Sequence, residues 1–189
     1  MTFIPCAKGG STISQWQPGA NHQDRTTLYG AMVHRASVAN AYTGGTLKGV
    51  IWHQGEGDAS AATSQAAYNA ALDTLADAVR ADLGIQLIAC KLQNCTDRDE
   101  TAVNAAIAEA WADNANVLQG PDFHDITPSV DGIHFKTDTE LAMAADRWFN
   151  NLKLLGLVRP STPPSITIPQ NPSVPLVVLT FDDGRLTNY

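Results

Sequence analysis

Cationic side chains are scarce in this chain. Twelve Lys and Arg stand against 19 Asp and Glu in 189 residues, for a formal net charge of -7 and a pI near 5.0. No cluster of basic residues offsets that balance, and binding a phosphate backbone needs one, so nucleic acid drops out as a partner. Long apolar runs are missing too. None approaches the roughly 18 residues of a membrane span, and no membrane partner is implied. The opening MTFIPCAKGG has no basic start, apolar stretch or small-residue cleavage site, so it carries no signal-peptide pattern. Cysteine is rare: Cys6, Cys90 and Cys95 form an odd set without C-x-x-C spacing, which argues against a metal cluster or a disulfide framework. Cys6 and Cys90 lie in apolar runs and are expected to be buried thiols. Cys95 is expected to be the more exposed one, with nothing nearby to activate it. The N-C-T at Asn94 matches a glycosylation sequon and is read as chance.

What is present is the composition of a globular domain. Hydrophobic residues make up 44% and charged residues 16%, enough apolar material for one good core. Apolar strands alternate with helical patterns. TFIPCA reads as a short strand, and 24–43 as a helix with Leu28, Met32, Ala36 and Ala39 on one face. LKGVIWH is a strand, followed by a helix from about Thr63 to Leu83. Thr63 and Ser64 cap that helix, Tyr68, Leu72, Leu75 and Val79 form its stripe, and Gly84 ends it. IQLIACKL, a helix over 99–114, NVLQG and a last helix over 137–155 complete the pattern. Strands separated by helices predict an α/β fold with a parallel sheet covered on both faces. From Arg159 to Pro175, six of seventeen residues are proline, which favours extended backbone and reads as a linker. Then LVVLTFDDGRLTNY begins another apolar strand.

Three stretches fall at strand or loop ends, where open α/β sheets bind their ligands. In AKGGSTISQW, Gly9 and Gly10 permit close backbone approach, so that a freed N–H can point at a developing oxyanion. In GVIWHQGEGDA, the Gln54 side-chain amide could be a second donor, held by neighbouring polar groups. In DGIHF, Asp131 and His134 stand three apart just before a helix. A carboxylate so placed can hold an imidazole in one tautomer and stabilise its charged form, leaving the other ring nitrogen for a nucleophile. Taken singly, each stretch also reads as ordinary structure: a turn, a satisfied buried glutamine, a loop ion pair. Their order on one rim favours chemistry. His53 is expected to pack within its strand, and His124 with Asp125 ranks below the Asp131–His134 pair because a proline-containing turn follows it.

IPCAKGGSTISQW, GVIWHQGEGDA and DGIHF together resemble successive blocks of the SGNH hydrolases. The match is closest in the carbohydrate-esterase branch that holds sialate O-acetylesterases and acetylxylan-type esterases, and it covers about 1–157. The resemblance implies a three-layer α/β/α, flavodoxin-like sheet and a serine esterase that removes acetyl groups from sugar hydroxyls without a cofactor. It implies that Gly10 and Gln54 form the oxyanion hole, that Asp131 and His134 are the catalytic acid–base pair, and that Gly9 and Glu56 support them. An acetylated carbohydrate is the implied partner.

One departure is large. The nucleophile of that family lies in a G-Q-S-N type block after the first strand, and this sequence begins at what should be the second. Ser11 stands where relatives often carry Thr, and Ser14, Ser37, Ser60 and Ser64 have no suitable context. The sheet is therefore expected to lack its first strand. Either two neighbouring strands present unpaired edges, or the terminal strand PLVVLTFDDG fills the gap parallel to them. VVLTFDDGRLTNY also resembles the opening motif of polysaccharide deacetylases. By that likeness Asp182 would be a base and Asp183 a metal ligand, but no later histidines accompany them, and one carboxylate does not make a zinc site, so no metal is expected. The organisation read from these features is an N-terminally truncated esterase-like domain over 1–157, a linker over 158–175 and a truncated deacetylase-like segment over 176–189.

Both ends read as cuts in a larger polypeptide, of a kind that suits a secreted enzyme or a phage tail protein. The leading expectation is a carbohydrate O-acetylesterase, inactive by itself unless an upstream segment or a second chain brings the serine. The alternative is a noncatalytic carbohydrate-binding or structural module of a larger assembly. A nucleotide-binding reading is weak, because AKGGST lacks P-loop spacing and GEGDAS lacks G-x-G-x-x-G.

Overall fold

LKGVIWH places side chains alternately on the two faces of a strand, and its centre, Val50 to Trp52, is apolar at consecutive positions, as a strand covered on both sides requires. In the computed structural model, which describes residues 2–158 and 175–181, this stretch is the central part of the sheet. The strands are β1 (Thr2–Pro5), β2 (Thr46–His53), β3 (Leu87–Lys91), β4 (Val117–Asp122) and β5 (Pro175–Phe181). All pairings are parallel, in the order β1-β5-β2-β3-β4.

The intervening helices are α1 (Leu28–Thr43), α2 (Glu56–Ser60), α3 (Gln65–Leu83), α4 (Thr101–Asp113) and α5 (Asp138–Leu154), with a 3-10 turn at Ile13–Trp16. Val50, Trp52, Leu87 and Ala89 face one core with α1, α3 and α4. Ile51, Ile88 and Cys90, the alternate residues, face a second core with Phe123 and with Trp148 and Leu152 of α5. Helices thus cover both faces, giving the three-layer α/β/α arrangement. Local signals set the helix ends: Ser64 accepts from the Ala67 N–H at the start of α3, and Gly84 takes the left-handed conformation (φ 70°) at its end. The short α2, in the loop after β2, was not expected from the sequence. Cys95 is the most exposed of the three cysteines, as expected, but at 7% it too is buried, and burial, helped by Glu56 nearby, pushes its thiol up to about 12.

The gap in the sheet is filled. β5 lies between β1 and β2, with Val178 opposite both Ile4 and Val50. Backbone accounting gives the reason. β1 pairs with β5, so without it a four-residue strand would have its N–H and C=O groups unmatched, and the facing edge of β2 would be open as well. The segment between Val158 and Pro175, read as a linker, and Asp182 and Asp183 lie outside the described residues.

A strand held on both sides tolerates no interior proline. Val178→Pro removes one ladder donor and orphans a carbonyl, at about 1–3 kcal/mol. For a chain of this size that is a fall in Tm of roughly 2–10 °C. A melting curve within about 1 °C of the parent would show that β5 does not hold this place.

Candidate active site

Parallel strands all point the same way, so the loops that follow β1, β2, β3 and β4 gather on one rim. The loop after β4 carries the acid–imidazole pair, and its sequence folds it locally. Asp131 Oδ1 accepts the backbone N–H groups of Ile133 (2.9 Å) and His134 (2.8 Å), curling the chain around its own carboxylate. Asp131 Oδ2 then meets His134 Nδ1 at 2.6 Å and Lys136 Nζ at 2.5 Å. Desolvation opposes the charge on Asp131. The Lys136 ammonium, the backbone N–H groups and the His134 ring outweigh it and hold the carboxyl far below the usual carboxylate range. A carboxylate on Nδ1 fixes the proton there, which leaves Nε2 as the acceptor. Both side chains are just under one-third exposed, so the pair is reachable from solvent.

Glu140, in the first turn of α5, closes the ends of this loop. Its Oε1 accepts Ser129 N–H and Oγ–H, both at 2.7 Å, and its Oε2 accepts the N–H groups of Lys136 and Thr137 at 3.0 and 3.1 Å. The Ser129 hydroxyl and these N–H groups lower its pKa to about 2. The loop therefore carries two ionised carboxylates, one orienting the imidazole and one fixing the frame around it.

The glycine-rich loop after β1 and the loop after β2 are built into each other. Gly10 takes a left-handed conformation (φ 67°) with open space where a Cβ would stand. Gly57 comes so close to this loop that a Cβ would lie 2.6 Å from the Ser11 carbonyl oxygen. Gln54 is buried, and its amide nitrogen donates to Ser11 O and to Asp58 Oδ2, both at 2.8 Å. Tyr68 OH lies 3.1 Å from Gln54 Oε1 and 2.9 Å from its carbonyl. Asp58 is also buried, and in addition accepts the Ile13 N–H (2.7 Å) and the Thr63 hydroxyl (3.0 Å). In this arrangement both amide hydrogens of Gln54 hold the loop. Ser11 is structural: its hydroxyl donates to Lys8 O and accepts the Trp16 indole N–H, each at 2.8 Å.

Contact between the two halves runs through the loop after β3. Gln93 Nε2 donates to Glu56 Oε1 (3.0 Å) and to the Ile133 carbonyl, inside the Asp131–His134 loop. Gln93 Oε1 stands 3.2 Å from His53 Nε2. Thr96 N–H donates to Gly132 O (3.0 Å), and Arg98 donates to the Glu56 carbonyl (3.0 Å). Hydrogen bonds thus tie Gln54 to Ser11 on one side, and Glu56, two residues along the same loop, through Gln93 to Ile133 on the other. His53 is buried with its ring stacked on Phe123 at 5.2 Å, a packed strand residue as expected. His124 pairs with Glu100 (3.2 Å) and Asp125 with Arg147 (2.5 Å), apart from the Asp131–His134 pair.

The sequence gives two of these residues no prominence. Asp58 could have been found as the last polar position of the G-E-G-D alternation, whereas Gln93 has no local signal, since its partners are 37 and 40 positions away.

Comparison with known proteins identifies a family. The profile of the family described as carbohydrate esterase, sialic acid-specific acetylesterase matches residues 1–148. A protein of Arabidopsis thaliana named "Probable carbohydrate esterase" is 34% identical over 83 residues, 44% of this chain and 29% of that protein. The chain therefore spans under a third of the length of this relative. No solved structure matches the chain significantly. With the profile matching residues 1–148, which include β1 to β4 but not β5, the chain belongs to the carbohydrate esterase family of sialic acid-specific acetylesterases.

Proposed function

We propose that this chain carries the acid–base and oxyanion-binding half of an esterase that removes acetyl groups from sugar hydroxyls. The observation that carries the reading is the Asp131–His134 pair, part-exposed and joined by hydrogen bonds to the Gly10 and Gln54 loops. The name of the Arabidopsis relative supports the same class.

In this reading His134 Nε2 takes the proton of a serine hydroxyl as its oxygen attacks the acetyl carbonyl carbon. Negative charge develops on the carbonyl oxygen, which faces the Gly10 N–H. Gln54 contributes a second donor by exchanging its Ser11 carbonyl partner for the oxyanion. The imidazolium, steadied by Asp131, returns the proton to the departing sugar oxygen, and water repeats the sequence on the acyl-serine.

Four serines among the described residues are engaged elsewhere. Ser11 binds Lys8 and Trp16, Ser14 pairs with Thr12, Ser64 caps α3 and Ser129 is held by Glu140, while Ser37 lies within α1 and Ser60 ends α2. We therefore assign the nucleophile to a serine brought by an upstream segment of a longer polypeptide or by a second chain. The purified chain is expected to turn over p-nitrophenyl acetate no faster than its His134→Ala variant. Robust turnover abolished by that substitution would place the nucleophile within this chain. The same engaged serines favour a second reading, a noncatalytic carbohydrate-binding module; binding of an acetylated sugar with no hydrolysis after a serine-bearing segment is added would decide for it.

A further inference from the structure

Gln93 is 2% exposed, sits just beyond β3, and belongs to neither half of the site, yet it touches both. Its amide nitrogen spends its two hydrogens on different loops: one on Glu56 Oε1, the other on the Ile133 carbonyl. Each half is internally rigid for its own reasons. The Asp131 carboxylate ties itself to the N–H groups of Ile133 and His134, and the Gln54 loop is tied by Asp58 and Tyr68. What these local ties do not determine is the separation between the halves. Thr96 N–H to Gly132 O anchors the imidazole loop to the β3–α4 segment, and Arg98 to Glu56 O anchors the amide loop to the same segment. Among the described residues, Gln93 bridges one to the other directly through its side chain.

We propose that Gln93 is the positioning residue that sets the distance between the amide-donor loop after β2 and the acid–imidazole loop before α5. Only its kinetic consequence rests on the esterase reading. An acid–base group must stand within hydrogen-bond reach of its proton while the oxyanion donors stand at the carbonyl oxygen, so a small error in their separation costs rate and leaves binding nearly unchanged. Gln93→Leu keeps the side-chain bulk and deletes both bridging bonds, together with the Oε1 contact to His53. Gln93→Glu keeps the shape and sets a carboxylate against Glu56 and the Ile133 carbonyl.

The test uses the full chain, isotope-labelled, and needs no turnover. In Gln93→Leu the His134 ring should keep the wild-type tautomer by long-range nitrogen-15 spectra, because its bond to Asp131 is local. Amide exchange at Ile133 and His134 should rise about tenfold or more, the scale of one lost hydrogen bond, while core amides such as Leu72 and Val79 keep their protection. Gln93→Glu should give the larger rise. Unchanged exchange at Ile133 and His134, or a rise shared equally by the core, would overturn the assignment. In serine-complemented enzyme, Gln93→Leu should lower kcat about tenfold or more with KM within about twofold. A rise in KM at constant kcat would also overturn it. Wild-type enzyme with no turnover would instead defeat the esterase reading and leave the exchange result to judge Gln93.

Discussion

Asp131→Asn is expected to lower kcat by about 10³- to 10⁴-fold in enzyme supplied with its serine, with KM little changed. The substitution preserves shape and one carbonyl oxygen for the N–H groups of Ile133 and His134, which now bond Oδ1. What it changes is the atom beside the ring. An amide N–H opposite Nδ1 forces the imidazole proton onto Nε2, so that the nitrogen required as a base becomes a donor. Lys136 also loses the anion it meets at 2.5 Å. Nitrogen-15 spectra of the chain should show the tautomer switch directly. Retained tautomer and retained rate would show that Asp131 does not orient the ring. The pH dependence has a definite sign. The folded-state pKa of Asp131 lies below its unfolded value of about 3.9, so its contribution is fully present above that value and is lost as pH falls through the depressed one. The pair therefore stays intact across mildly acidic and neutral pH, and Asp131 is not the group that titrates there.

Asp58→Ala is expected to be the most destabilising single change in the site, by about 3–5 kcal/mol from stranded donors at about 1–3 kcal/mol each. Asp58 is 1% exposed and accepts three hydrogen bonds, from Ile13 N–H, Gln54 Nε2 and Thr63 Oγ1. Alanine leaves those donors in the interior without an acceptor. At roughly 2–4 °C per kcal/mol for a chain of this size, Tm should fall by about 10 °C. Asp58→Asn keeps the volume and one acceptor oxygen and should lose less. Calorimetry of the two variants checks the order. An alanine variant melting within about 1 °C of the parent would mean that Asp58 does not tie the Gly10 loop to Gln54.

Much of the fold can be read along the chain because its causes are local. The β2 and β3 runs are apolar at consecutive positions, Ser64 and Gly84 bracket α3, and the stripe Tyr68, Leu72, Leu75, Val79 is buried as its spacing predicts. The Asp131–His134 pair is legible for the same reason, since three residues of separation suffice to close it. Cys95 is the most exposed cysteine, as its setting suggests, although all three are buried. Gln93 was not legible, because its partners lie 37 and 40 residues away, and neither was the bond of Asp58 to Ile13, 45 residues away.

Sequence by itself determined the layering, the identity of the rim residues and the self-contained acid–imidazole turn, since periodicity, caps and i,i+3 carboxylate chemistry act over a few residues. Tertiary structure decided which strand takes the place between β1 and β2, how Gln54 spends its hydrogens and what joins the two halves of the site. Those outcomes depend on backbone groups seeking partners across the sheet. Every buried donor must find an acceptor wherever the fold happens to bring one.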